Sequence, residues 1–99
     1  MNLNMNLSTK DRREKEIRAW LITRLSEWLV IDAEEIYVQE PFASYGLSSV
    51  AAISLTGDLE EWLGIELSPI LAYEYPTVES LARHLADELD IVQDSGEVH

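Results

Sequence analysis

Tyr45-Gly46-Leu47-Ser48-Ser49-Val50 leads directly into Ala51-Ala52-Ile53-Ser54-Leu55-Thr56. A glycine lets the backbone turn sharply, a serine pair follows, and a helical pattern begins. Ser48 is placed to cap that helix through its own hydroxyl, which frees the Ser49 hydroxyl from capping. The first N–H groups of a helix lack intrahelical acceptors, and the aligned peptide dipoles add partial positive character there. An anion at this end gains some tenths of a kcal/mol up to about 1 kcal/mol, so a serine here suits esterification to phosphate. A serine at a helix start is ordinary by itself. The weight of the reading lies in what surrounds it.

The helix that opens here is expected to run from about Ser49 to Leu63, with Gly64 as its C-terminal cap. Projection at about 100° per residue puts Ala52, Ile53, Leu55, Thr56, Leu59 and Leu63 on one broad core face. Val50, Ser54, Gly57, Asp58 and Glu61 fall opposite. A valine among acids and small residues resembles the centre of a docking surface, although single surface valines are common.

Upstream, Ile17, Leu21, Leu25 and Trp28 recur at helical spacing, widened by Trp20 and Leu29. The helix that carries them is expected to start near Asp11, with Asp11 and Glu14 as a capping-box-like pair and Ser8 or Thr9 as competing caps. A long connection follows from about Val30 to Leu47. Asp32-Ala33-Glu34-Glu35 can form one turn, Pro41 excludes a helix through that point, and Ile36, Val38, Phe42 and Tyr45 pin the loop to the core. Downstream, Ser68-Pro69 is expected to open a short helix ending about Tyr73, because Pro76 disfavours helix just before it. Thr77 caps a last helix with Val78, Leu81, Leu85 and Leu89 on its stripe. Periodicity fades from Asp90. The expected organisation is a flexible N-terminus over 1–9, one domain over 10–90, and a flexible tail or linker over 91–99. No segment alternates like a strand, so the fold expected is all-α: a small four-helix bundle with three longer helices, one short third helix and a long first loop.

Ninety-nine residues with 46% hydrophobic content make one small folded domain without room for a deep interdomain cleft. Charge is segregated. Residues 1–24 hold six of the seven cations against Asp11, Glu14 and Glu16, a balance of +3. Residues 25–99 hold Arg83 against sixteen acids, a balance of −15, and the chain total is −12. Such a field disfavours nucleic acid and anionic lipid and attracts basic protein surfaces. There is no cysteine, hence no disulfide or cysteine-based zinc site, and His84 and His99 cannot alone build a metal site. Residues 1–7 lack a charged start followed by an apolar run, and no stretch reaches membrane-spanning length, so the expected compartment is the cytoplasm.

Three motifs now stand in order: Gly46-Leu47-Ser48-Ser49-Val50; Asp58-Leu59-Glu60 with Leu63-Gly64-Ile65-Glu66-Leu67-Ser68-Pro69; and Glu74-Tyr75-Pro76-Thr77-Val78 with Leu81-Ala82-Arg83-His84-Leu85. Over about residues 15–90 the chain resembles the acyl carrier protein family, specifically the carrier domains of modular polyketide synthases. That resemblance implies 4′-phosphopantetheine, transferred from coenzyme A to Ser49 by a separate phosphopantetheinyl transferase using magnesium, with no metal retained. The arm's thiol would hold an acyl chain as a thioester, and the chain would be a substrate of enzymes with no catalytic residue of its own. Partners implied are the transferase, an acyl-loading enzyme, and a ketosynthase or other synthase domains. Leu47, Ser48, Val50, Ser54, Asp58, Glu61 and Glu66 would form the docking surface, and the isolated chain would be a monomer. The family pattern Gly-x-Asp-Ser-Leu is departed from twice, at Ser48 and at Val50. The variant looks most like carriers loaded by fatty acyl-AMP ligases.

Two other readings share these residues: a peptidyl carrier domain of a nonribosomal peptide synthetase, and a helical adaptor in which Ser49 is unmodified. A serine hydrolase is the weakest rival, because no histidine lies near Ser49 in the sequence. Trp20, Trp28 and Trp62 read as core-packed or partly buried residues, His84 as a surface histidine, and Glu34-Glu35 and Glu60-Glu61 as solvated or docking acids.

Overall fold

The computed structural model describes residues 8–97. The elements are α1 (Thr9–Leu29), a 3₁₀ turn at Ala33–Glu35, a second 3₁₀ turn at Phe42–Tyr45, α2 (Ser49–Leu63), α3 (Leu71–Glu74) and α4 (Val78–Glu97). Among the described residues no strand forms, and no helix is long and apolar enough to cross a membrane. The described residues divide into two compact units, one of residues 8–36 together with 82–97, the other Tyr37–Leu81.

In the first unit, Ser8 caps α1, its hydroxyl accepting the Asp11 N–H at 3.0 Å. Thr9 is therefore the first helical residue, two before the expected start. Glu14 is not a capping-box partner, because its carboxylate accepts from Arg18 at 2.9 Å and lies 3.9 Å from Arg83. Ile17, Leu21 and Leu25 are buried, as are Ala82, Leu85, Ala86 and Leu89 of α4. Each fully buried leucine is worth about 1.5–3 kcal/mol relative to exposure. Trp20 and Trp28 are half-buried, and Arg24 lies over the Trp20 ring at 4.9 Å. Lys10 pairs with Asp87; the hydrogen bond and the charge of that carboxylate raise the lysine pKa above its ordinary value. α1 ends on Val30, at φ 56° and ψ 50°, a left-handed conformation rare for a β-branched residue.

Helix α4 continues to Glu97. The apolar stripe stops at Asp90, which predicts a frayed tail from there. A stripe reports burial, and backbone conformation can outlast it. Residues 1–7 and 98–99, parts of the expected flexible ends, lie outside the described residues.

In the second unit, the loop before α2 is tied down by main-chain bonds. Phe42 N–H donates to the Pro76 carbonyl at 2.8 Å, and Glu79 N–H to the Val38 carbonyl at 2.9 Å. Pro41 and Thr77 form an isolated antiparallel bridge. Phe42 is buried in this unit, while Val38 and Tyr45 are half-buried. Thr77 and Ser80 form a reciprocal capping box at the start of α4: Ser80 N–H donates to Thr77 Oγ1 at 3.0 Å, and Thr77 N–H to Ser80 Oγ at 3.2 Å.

α3 begins at Leu71, three residues after the expected Ser68 cap. Leu71 N–H donates to the Ser68 carbonyl at 3.1 Å, which closes a turn through Pro69. Ile70, at φ −99° and ψ 16°, is outside the helix. Proline fits the second position of such a turn as well as it fits a helix start, and here the turn prevails.

Candidate functional site

α2 starts and stops where its local chemistry dictates. Ser48 is extended, at φ −75° and ψ 168°, and its hydroxyl accepts the Ala51 N–H at 3.1 Å. Its carbonyl accepts the Ala52 N–H at 2.9 Å. Gly64 closes the other end at φ 72°, donating to the Glu60 carbonyl at 2.8 Å. The Glu60 side chain then accepts the Leu67 N–H at 2.9 Å, fixing the loop beyond.

Ser49 is the first helical residue and is exposed. Ser48 takes up the N–H groups of Ala51 and Ala52, so those of Ser49 and Val50 face the helix start without an intrahelical acceptor. No acid occupies the first turn of α2. A negative charge on Ser49 Oγ meets amide dipoles there and no carboxylate on the same turn. Gly46, at φ 80°, turns the chain into this position.

Beside Ser49 opens an apolar cleft of about 260 Å³. Its walls are Pro41, Phe42 and Leu47 of the loop, Ser49 and Ala52 of α2, and Ala72 and Tyr73 of α3. An exposed hydroxyl, open amides and an adjoining apolar wall suit a phosphodiester carrying a slender organic arm.

The docking candidates separate by exposure. Ser48, Val50, Ser54, Glu61 and Glu66 are exposed, while Leu47 and Asp58 are half-buried. Val50 is 74% exposed. Ile53 corrects the core assignment: it is 46% exposed. The buried face of α2 centres on Ala52, Thr56 and Leu59, and Ile53 stands about 90° from that centre. Val50 and Ile53, three residues apart, form one exposed apolar ridge beside Ser49. Trp62, at the opposite edge of the core face, is 45% exposed, a partial burial of the kind expected for it. Ile70 and Tyr73, also about half exposed, belong to the second unit and were missed. Among the described residues no group of three or more potential ligands is arranged to hold a metal.

This is the helical arrangement of a carrier domain. The profile of the phosphopantetheine attachment-site family matches residues 19–85, and the chain belongs to that family. Domains of the family carry phosphopantetheine covalently. A region of polyketide synthase PksL of Bacillus subtilis is 38% identical over 72 residues, covering 73% of this chain. The chain spans only 2% of the length of that synthase. Among solved structures, a free-standing peptidyl carrier protein from Acinetobacter baumannii superposes with a TM-score of 0.72 at 37% identity, over 77% of this chain and 95% of that one. An acyl carrier protein from Anabaena sp. PCC 7120, described as having a variant phosphopantetheinylation-site sequence, gives a TM-score of 0.70 at 40% identity, over 75% and 84% of the two chains. The fold is thus the all-α carrier type expected from the sequence.

Proposed function

We propose that Ser49 is the attachment point of 4′-phosphopantetheine and that the chain presents acyl thioesters to enzymes of polyketide or fatty-acid assembly. The observation that carries this reading is the exposed residue Ser49 at the first position of α2, inside the family-matched segment. When attached, the arm supplies a terminal thiol that holds the cargo as a thioester. The chain's own residues do the rest. Ser48 holds the helix start by capping Ala51, which leaves the Ser49 oxygen available to a transferase. The unpaired amides at that start favour the phosphodiester charge. The Val50–Ile53 ridge, flanked by Ser54, Asp58 and Glu61, offers a small, partly apolar, acidic contact suited to brief encounters with basic partner surfaces.

The departure at Ser48 is compatible with this role, since the Anabaena carrier is itself described as a variant at its modification site. The chain is acted on by a phosphopantetheinyl transferase, an acyl-loading enzyme of the fatty acyl-AMP ligase type and synthase domains, and is not itself an enzyme. Its compartment in this reading is the cytoplasm. A second reading, a carrier of aminoacyl groups, draws on the likeness to the Acinetobacter peptidyl carrier.

Intact mass after incubation with coenzyme A, magnesium and a broad-specificity transferase tests the proposal. One phosphopantetheine adduct is expected on the wild type and none on Ser49→Ala. An adduct that survives in Ser49→Ala relocates the site, and an unmodified wild type favours the helical adaptor. Loading of the modified protein by adenylating enzymes for fatty acids and for amino acids separates the two carrier readings.

A further inference from the structure

The chain has seven cations in a field of nineteen acids, and their neutralisation is uneven. Lys10 pairs with Asp87, Arg18 with Glu14, and Arg83 lies 3.9 Å from Glu14. Arg24 sits over Trp20 and 4.0 Å from Glu27. The three that remain, Arg12, Arg13 and Lys15, lie within four consecutive residues of α1. Among the described residues none of the three has a carboxylate within ion-pair distance. Arg12 and Lys15 are exposed. Arg13 is half-buried, and its Nε–H is enclosed with no acceptor among the described residues. Thr9, Arg12, Arg13 and Glu16 line a shallow depression of about 300 Å³, in which Glu16 is the lone acid.

We propose that the first two turns of α1 dock an acidic protein segment, with Arg12, Arg13 and Lys15 as its contact cations. Residues 12 to 15 span about 5 Å along the helix axis. At about 100° per residue, Lys15, Arg12 and Arg13 fan across roughly 160° of the surface. That footprint matches two or three carboxylates on a short segment crossing the helix. The positive end of the α1 dipole, at Ser8 and Thr9, acts in the same sense. Charge complementarity also selects the size of the partner. A duplex nucleic acid or an anionic bilayer extends well beyond the patch and meets the field of a chain with net charge −12. A short acidic segment meets fewer of the chain's acids, because at 0.15 M ionic strength charges beyond about 8 Å are largely screened. The exposed Asp11 and Glu16, interleaved with the three cations, leave the patch a small positive balance.

Titrating the isotope-labelled 99-residue chain with an octaglutamate peptide at about 0.15 M salt, read by amide chemical shifts, tests the proposal. Shifts are expected at residues 9–16. The triple variant Arg12→Gln, Arg13→Gln, Lys15→Gln should bind at least about fivefold more weakly, as three surface ion pairs of some tenths of a kcal/mol each, two exposed and one half-buried, require. Its far-UV circular dichroism should match the wild type. Lys10→Gln, a cation already paired with Asp87, should bind like the wild type. The proposal is overturned by absent shifts, by shifts confined to residues 48–51, or by undiminished binding in the triple variant. It is equally overturned if duplex DNA or vesicles with 30% phosphatidylserine bind these residues more tightly than the peptide.

Discussion

The Ser48 hydroxyl accepts the Ala51 backbone N–H at 3.1 Å, so the two adjacent serines divide the work of the helix start. Replacing Ser48 by alanine removes the cap and is expected to cost about 1 kcal/mol of stability, read by urea denaturation, while phosphopantetheine addition persists. Replacing Ser49 by alanine should leave stability within about 0.5 kcal/mol and abolish the adduct. The reverse pattern would exchange the two roles.

Val30 closes α1 in the left-handed region at φ 56°, where a β-branched side chain is strained, and it is 86% exposed. Val30→Gly should therefore stabilise the chain by about 1 kcal/mol, the cost of left-handed geometry for an L-residue, less glycine's extra unfolded-state freedom. Thermal denaturation reads the change. A lower melting temperature would show that the valine side chain contributes more than its backbone strain costs.

Gly57 lies inside α2, and a Cβ built on it meets nothing within 4 Å. Gly57→Ala is expected to add about 0.5–1 kcal/mol of stability. If partners need the bare backbone at this point of the docking face, the same variant should slow acyl loading even as it folds more firmly. Loading at the wild-type rate would show that no partner approaches there.

Val50 and Ile53 form an exposed ridge, so charge on it should disturb encounters and not folding. Val50→Asp and Ile53→Asp should each lower the rate of transferase-catalysed modification severalfold with a change in stability below about 0.5 kcal/mol. Modification should also slow as salt rises from 0.05 to 0.5 M, because exposed charges are screened beyond roughly 10 Å at 0.1 M. Rates that ignore both perturbations would place docking elsewhere.

The Tyr45 phenol accepts the Tyr37 N–H at 2.7 Å, joining two loop residues eight apart in sequence. Tyr45→Phe should cost about 1 kcal/mol and accelerate hydrogen exchange at the Tyr37 amide. Unchanged exchange there would show that the bond contributes nothing to holding the loop.

The sequence revealed α2 in full because both ends carry their own local signals, Ser48 as cap and Gly64 as the left-handed stop. The stripes of α1 and α4 were legible for a related reason: Ile17, Leu21 and Leu25, and Val78, Leu81, Leu85 and Leu89, repeat with the helix period. The turn Phe42–Tyr45 was not foreseen, since four residues are too few to show a period. Ser68-Pro69 serves a turn and a helix start alike, and only the Leu71–Ser68 bond separates them. Ile53 was misplaced because an apolar residue at the edge of a face carries the same letter as one at its centre. The position of Ser49 followed from its neighbours, whereas the exposure of Ile70 and Tyr73 depends on folding that pairs α3 with α2.

The bonds from Phe42 to Pro76 and from Val38 to Glu79 anchor the approach to α2 on a segment more than thirty residues downstream. An arm rooted at position 49 would thus swing from a steady mast. The volume it sweeps would be set by the length of the tether alone, and the local concentration each enzyme meets would follow from that radius.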